Sequence, residues 1–227
     1  MTLHIPKVLN ADQVRHCNEV LAKADWIDGR ATAGEQSGRA KRNLQVAEDA
    51  PEAKALGEIV IRALAANAKF MSAALPLRVY PPLFNRYGEG MTFGSHIDNA
   101  IRVSPVTGGR YRTDLSCTLF LTDPDDYDGG ELVIEDGFSP RRVKLAAGDL
   151  VLYPATTVHR VEPVTRGERW ASFFWVQSMV PDPEQRRLLH DLDQATMGAR
   201  GTLGDEHPTA VSLVGVYHNL LRMWSAV

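Results

Sequence analysis

The chain has 227 residues, a formal net charge of −3 and 44% hydrophobic residues, which suits one sizeable globular domain with appendages and gives no global pull toward nucleic acid or membranes. No apolar run approaches the roughly 20 residues that span a bilayer, and "MTLHIPKVLN" lacks the basic start and apolar stretch of a secretory leader. A cytoplasmic protein with neither a nucleic-acid nor a membrane partner is therefore expected. Cys17 and Cys117 form no CxxC pair, which argues against a disulfide framework or thiolate zinc site and for buried thiols.

Residues 11–25 carry Val14, Cys17, Val20 and Leu21 at helical spacing and predict a short amphipathic helix. Residues 28–43 are rich in Gly, Ser, Thr and Arg without periodicity and predict an exposed loop. Asp49 and Pro51 mark the start of a second helix, whose apolar face runs through Leu56, Ile59, Val60, Ala63, Leu64, Phe70 and Met71. From Leu77 the pattern becomes short β-type runs parted by turn residues, among them "LRVYPPLFNRY", "DLSCTLFLT", "RRVKLAAGDLVLYP" and "RWASFFWVQSMV". Successive strands without helices between them predict an antiparallel sandwich or barrel. After Val180 helical spacing returns, with Asp182 as N-cap, Pro183 as first helical residue and Gln185 in the capping-box position. Val214, Tyr217, Leu221 and Trp224 form one stripe of a last helix, which can pack on the β domain or on a second subunit, so a homo-oligomer is one expectation. The expected organisation is N-terminal helices and loop over 1–76, a β domain over 77–180 and a helical extension over 181–227.

In "GSHIDNA", His96 and Asp98 lie two positions apart, so on a strand or its end both face one side and can reach one ion. Alone the pair is a weak signal. His159, in "YPATTVHRVEPV", adds a third donor in the same β region. Two His and one carboxylate fill one face of an octahedral metal and leave positions open, the pattern of non-haem Fe(II) oxygenases. The remaining histidines (His4, His16, His190, His207 and His218) read as structural or solvated. Arg169 begins "RWASFFWVQ", where a guanidinium among apolar residues is costly unless it meets an anion. The alternative places it at the solvent end of the strand. Beside a metal, its planar fork suits a carboxylate. Asp123, Asp125, Asp126 and Asp128 mimic a calcium loop but lack the EF-hand spacing, so a hairpin turn is expected there.

The order His96-x-Asp98, His159, Arg169, with "NRYGEGMTFGSHIDN", "GGELVIE", "AGDLVLYPATTVHRVEPVTRGERW" and the later Trp175, resembles the Fe(II)- and 2-oxoglutarate-dependent dioxygenases of the prolyl-4-hydroxylase-like branch. With "WIDGRATAGEQSGRAKRNLQ" and the helical tail, nearly the whole chain is similar to the bacterial PKHD-type, PiuC-like hydroxylases. The resemblance implies a mainly β fold, a double-stranded β-helix or jelly-roll core with flanking helices. It also implies Fe(II) on His96, Asp98 and His159, and 2-oxoglutarate on Arg169. Molecular oxygen as co-reactant, dependence on L-ascorbate (vitamin C) and a link to iron homeostasis follow from the same resemblance.

Tyr87 is a candidate donor to the cosubstrate carboxylate, with a core tyrosine as the alternative, and Asn85 shares its strand face as a weaker candidate. Trp175 is expected to wall the pocket. Two loops carry Arg30, Arg39, Lys41 and Arg42, and Arg102, Arg110 and Arg112. Solvated charge is their usual explanation, and clustering near the site raises a second one, an anionic small-molecule or peptide substrate. A non-catalytic jelly roll that binds iron or 2-oxoglutarate stays open as the alternative function. A zinc hydrolase would need a general base that is not evident and would leave Arg169 unexplained.

Overall fold

Period-two alternation along short strands governs this architecture. The structure, a computed structural model, describes residues 1–32, 35–135, 137 and 139–227. Its first part runs β1 (Leu3–Ile5), α1 (Ala11–Leu21), β2 (Trp26–Asp28), a 3-10 turn (Gly29–Thr32), α2 (Glu35–Ala40), β3 (Lys41–Arg42), β4 (Leu44–Val46), α3 (Pro51–Ala66) and α4 (Ala68–Ala74). The β-rich part begins with β5 (Pro76–Val79), β6 (Leu83–Tyr87), β7 (Thr92–His96), β8 (Ile101–Val103), β9 (Arg110–Arg112) and β10 (Leu115–Phe120). It continues with β11 (Asp128–Gly129), β12 (Leu132–Ile134), β13 (Arg141–Val143), β14 (Leu150–Pro154), β15 (His159–Val161), β16 (Val164–Arg166) and β17 (Arg169–Ser178). Two helices, α5 (Pro183–Leu203) and α6 (Pro208–Trp224), close the chain.

An 8-stranded sheet runs in the order β1-β14-β10-β17-β6-β4-β2, with β5 also on β17, and faces a 5-stranded sheet ordered β13-β12-β15-β7-β3. Alternation gives the larger sheet two buried faces. On one, Phe84, Cys117, Leu119, Leu150, Leu152, Phe174 and Val176 pack against Cys17 and Leu21 of α1 and Leu56, Val60 and Leu64 of α3. Intervening residues of the same strands, Tyr87, Phe120, Val151 and Tyr153, meet Leu132, Ile134 and Val161 of the smaller sheet. Each large apolar side chain so buried contributes about 1.5–3 kcal/mol. The result is the expected jelly-roll sandwich with helices on its outer face.

Three features depart from the sequence reading. The exposed loop expected over 28–43 is structured where it is described. Lys41 of β3 pairs with Phe93 of β7, Gln45 of β4 with Asn85 of β6, and Lys41 and Asn43 are each only 4% exposed. Strands this short carry no readable period. Residues 33 and 34 of that stretch lie outside the described residues. The second helix is two helices. At Asn67 the backbone turns extended (φ −93, ψ 104) and the side chain accepts from the Phe70 N–H at 2.9 Å, capping α4. The new helix axis buries Phe70 and leaves Met71 39% exposed. Finally, the segment ahead of residue 77 supplies β1 to β4 to the two sheets as well as helices.

The last helices form as expected, with the Asp182 side chain accepting from the Glu184 and Gln185 N–H groups. Leu189 of α5 and Tyr217, Leu221 and Trp224 of α6 pack with Leu75 and Val180. No described helix is long and apolar enough to cross a membrane.

Candidate metal centre

β7 ends at His96 and β15 begins at His159, and the two are register partners in the smaller sheet. Adjacent strands thus bring two imidazoles together, ring centres 4.2 Å apart. Asp98 follows two residues after His96 and is fastened to the opposite sheet, because the Ser116 hydroxyl on β10 donates to its Oδ2. The candidate ligand atoms of His96, Asp98 and His159 lie within 4.8 Å of one another, with His159 Nε2 3.7 Å from Asp98 Oδ2.

Local hydrogen bonds orient both imidazoles as candidate ligands. His96 Nδ1 lies 2.8 Å from the Gly94 carbonyl and His159 Nδ1 2.9 Å from that of Thr157. A carbonyl only accepts, so each Nδ1 carries the hydrogen and each Nε2 keeps its lone pair for an ion. Phe93 stacks on the His96 ring at 3.6 Å. Burial, and then the nearby His159, push the His96 pKa down to about 4, so the ring is neutral near pH 7, as a metal ligand must be. Two imidazole nitrogens and one carboxylate oxygen suit a borderline divalent ion such as Fe(II).

Arg169 opens β17 opposite Tyr87 of β6 and is 1% exposed, so the solvent-end alternative does not hold. Its guanidinium carbon sits 5.4 Å from the Tyr87 ring centre and 5.1 Å from that of Phe120, and its Nε has no hydrogen-bond partner. A buried cation with an unused donor is costly unless an anion completes it, and a planar carboxylate matches the guanidinium fork. Burial holds the Tyr87 hydroxyl neutral by pushing its pKa up to about 12, which keeps it a donor. Asn85 is 7% exposed and its Oδ1 has no partner. His96, Asp98, His159, Arg169, Tyr87, Asn85 and Trp175 all line one cavity.

The charged loops behave less uniformly. Of the seven cations grouped from sequence, only Lys41 and Arg102 line the cavity. Arg112 pairs with Asp114 at 2.7 Å, Arg30 pairs with Asp28, and Arg39, Arg42 and Arg110 are exposed. Burial, reinforced by Arg102, lowers the Lys41 pKa to about 8. In the acidic turn, Asp128 pairs with Arg166 and Asp123 accepts from the Ala147 N–H. Sequence reasoning missed Ser116. Its signal was available, since in "LSCTLF" Ser116 and Thr118 alternate with Cys117 and Leu119 and so mark a polar inner face.

Residues 82–177 match the family model of the 2OG-Fe(II) oxygenase superfamily, and residues 183–226 match that of the PKHD-type hydroxylase C-terminal domain. A PKHD-type hydroxylase of Gluconobacter oxydans is 58% identical over 99% of both chains, and one of Methylobacterium nodulans is 56% identical with the same coverage. Among solved structures, a Pseudomonas putida prolyl-4-hydroxylase shares the fold at a TM-score of 0.52 and 19% identity, over 78% of this chain and 92% of that one. HygX from Streptomyces hygroscopicus, solved with nickel and 2-oxoglutarate, is similar at a TM-score of 0.53 and 16% identity, over 78% of this chain and 82% of that one. With a His-Asp-His cluster in a jelly roll and full-length relatives of this kind, the chain belongs to the PKHD-type hydroxylases, Fe(II)- and 2-oxoglutarate-dependent dioxygenases of the 2OG-Fe(II) oxygenase superfamily.

Proposed function

We propose that His96, Asp98 and His159 hold the Fe(II), that Arg169 binds the distal carboxylate of 2-oxoglutarate with help from Tyr87 and Asn85, and that the enzyme hydroxylates a carbon of a small-molecule or peptide substrate. The observation that carries this reading is the buried Arg169 with its unused Nε, in the same cavity as two imidazoles whose Nε2 atoms are preset as ligands. When bound, Fe(II) and 2-oxoglutarate supply oxygen activation coupled to decarboxylation of the keto acid. The chain's own residues do the rest. Gly94 and Thr157 fix the imidazole tautomers, Ser116 fixes one oxygen of Asp98, and Phe93, Phe173 and Trp175 line the cavity with apolar surface that excludes water. Ascorbate as a reductant that maintains Fe(II) and a role in iron homeostasis belong to the same proposal and rest on the resemblance, a cytoplasmic location rests on the sequence pattern, and assembly into a homo-oligomer rests on the exposed apolar residues Leu188, Met197, Val211, Val216 and Met223 of α5 and α6.

The test is anaerobic titration of the metal-free protein with Fe(II) and 2-oxoglutarate, following the visible charge-transfer absorption of a chelated keto acid in wild type and in Arg169→Ala. Absorption that appears in wild type and weakens in the variant supports the assignment. Absence under loaded conditions refutes it. Succinate release in air then separates an oxygenase from a module that only binds.

A further inference from the structure

Two cations stand on an aromatic wall at the end of the cavity away from Arg169. Lys41 is 4% exposed; its ammonium donates to Gln45 Oε1 at 3.3 Å and lies 5.3 Å from the ring centre of Phe93 and 5.5 Å from that of Phe173. The guanidinium carbon of Arg102 lies 4.0 Å from the ring centre of Trp175 and 5.4 Å from that of Tyr80. Phe173 and Trp175 are alternate residues of β17 and meet edge to face at 5.7 Å, so the two rings and the two cations form one surface. Arg169 precedes them on the same strand face by four and six residues, roughly 13–20 Å of extended chain. The metal ligands lie nearer the wall, since Ser116, which holds Asp98, is the register partner of Trp175.

These positions separate two anion-binding tasks. A diacid held by Arg169 at one end and by the metal at the other leaves the Lys41–Arg102 wall beside the metal, where the reacting carbon has to lie. Lys41 also falls outside residues 82–177, the part matched to the oxygenase superfamily, so one of the two cations comes from a segment that the shared catalytic core does not supply. We infer that Lys41 and Arg102 form a substrate subsite for a carboxylate whose apolar body lies against Phe173 and Trp175. The inference rests on the dioxygenase reading above and adds to it the substrate class. The planar guanidinium of Arg102, stacked over Trp175, matches the geometry of a carboxylate, and the apolar ring faces suit a flat or cyclic body. Within this chain the subsite narrows the anionic-substrate expectation, since Arg110 and Arg112 take no part in the wall.

The experiment uses the full chain loaded with Mn(II) and saturated with 2-oxoglutarate, so that Arg169 is occupied. It is titrated with the matched probes benzoate and benzamide, and broadening of their proton resonances by the paramagnetic ion reports binding near the metal. Benzoate is expected to bind about tenfold more tightly than benzamide, the scale of one charge-assisted contact. That preference is expected to shrink to about twofold or less in Arg102→Gln and in Lys41→Gln. Arg102 is half-buried on a short two-stranded ribbon, so its variant keeps the test decisive where the Lys41 variant fails to fold. Equal broadening by the two probes, no broadening by either, or an undiminished preference in Arg102→Gln overturns the subsite. Failure of the diacid to bind in the charge-transfer titration would refute the proposed function instead, so the two outcomes are distinguishable.

Discussion

Replacing Arg169 by Met has two consequences of opposite sign. Without a ligand, the guanidinium is 1% exposed with an unpartnered Nε, and an unpaired buried charge costs several kcal/mol. Its placement over the Tyr87 and Phe120 rings offsets about 0.5–2 kcal/mol for each contact. Met fills a similar volume with no charge to desolvate, so the metal-free variant should gain about 1–3 kcal/mol of stability. In a chain of this length 1 kcal/mol moves Tm by about 2–4 °C, giving a rise of roughly 2–12 °C.

Cosubstrate binding should move the other way. Two charge-assisted hydrogen bonds to a carboxylate are worth about 1.5–3 kcal/mol each, so the loss of both weakens 2-oxoglutarate by about two to four orders of magnitude in Kd. Thermal unfolding of wild type and Arg169→Met, each with and without Mn(II) and 2-oxoglutarate, reads both effects at once. The variant should begin at a higher Tm and lose the diacid-induced increment. A variant that starts lower and keeps the full increment would refute the assignment of Arg169 as an anion anchor.

Ser116→Ala removes the hydroxyl that fixes Asp98 Oδ2 and should weaken Mn(II) about 10–100-fold in a calorimetric titration with little change in fold stability; unchanged affinity would show that Asp98 needs no such latch. Gly148 has φ +92, and an added Cβ would stand 2.4 Å from the Leu9 carbonyl oxygen. Gly148→Ala should therefore lose about 2–4 kcal/mol in urea unfolding. The His96 pKa is lowered from its usual 6.5 to about 4, so between these values the unfolded chain binds the proton that the folded chain refuses. For the metal-free protein this contribution to stability is fully present above about pH 6.5 and is lost as pH falls toward 4, on the order of 3 kcal/mol. His96→Gln should flatten that part of the stability profile.

The cluster of His96, Asp98 and His159 was legible because the pattern that brings it together is local. A His-x-Asp pair at a strand end needs only alternation to point both groups one way, and "YPATTVHRVEPV" places the third donor in a neighbouring β run. The burial of Arg169 was half legible, since its strand read as buried but its position at the strand's start allowed either end. Lys41 reads from sequence only as one cation of an exposed loop, and its burial was not legible. β3 has two residues and β4 three, too few to show a period, and β3 sits in a stretch whose Gly, Ser and Arg content reads as a loop. Tertiary pairing with β7 and β6 decided their state. The break at Asn67 was hidden differently, because the apolar spacing of α3 continues into α4 and only the capping side chain marks the boundary.

If the proposed ligands hold an ion, their distribution over the two sheets would couple its binding to the closure of the sandwich. His96 and His159 belong to the smaller sheet and pair there directly. Asp98 is tied through Ser116 to β10 of the larger sheet, which also carries Arg169 and Trp175 on its inner face. An ion held by all three ligands thus bridges the layers that otherwise meet through the apolar contacts of Phe120, Val151 and Tyr153 with Leu132, Ile134 and Val161. Binding of that kind favours the folded state by mass action, about 2.7 kcal/mol at a free ion concentration 100 times Kd. The stabilisation should act on separation of the sheets, so amides of β7 and β15 should gain more protection from hydrogen exchange on Mn(II) loading than those of α1 and α3, which pack on the far face. Uniform protection across both faces would mean that the layers separate only with global unfolding, and that the ion stabilises the chain without acting as a link between its sheets.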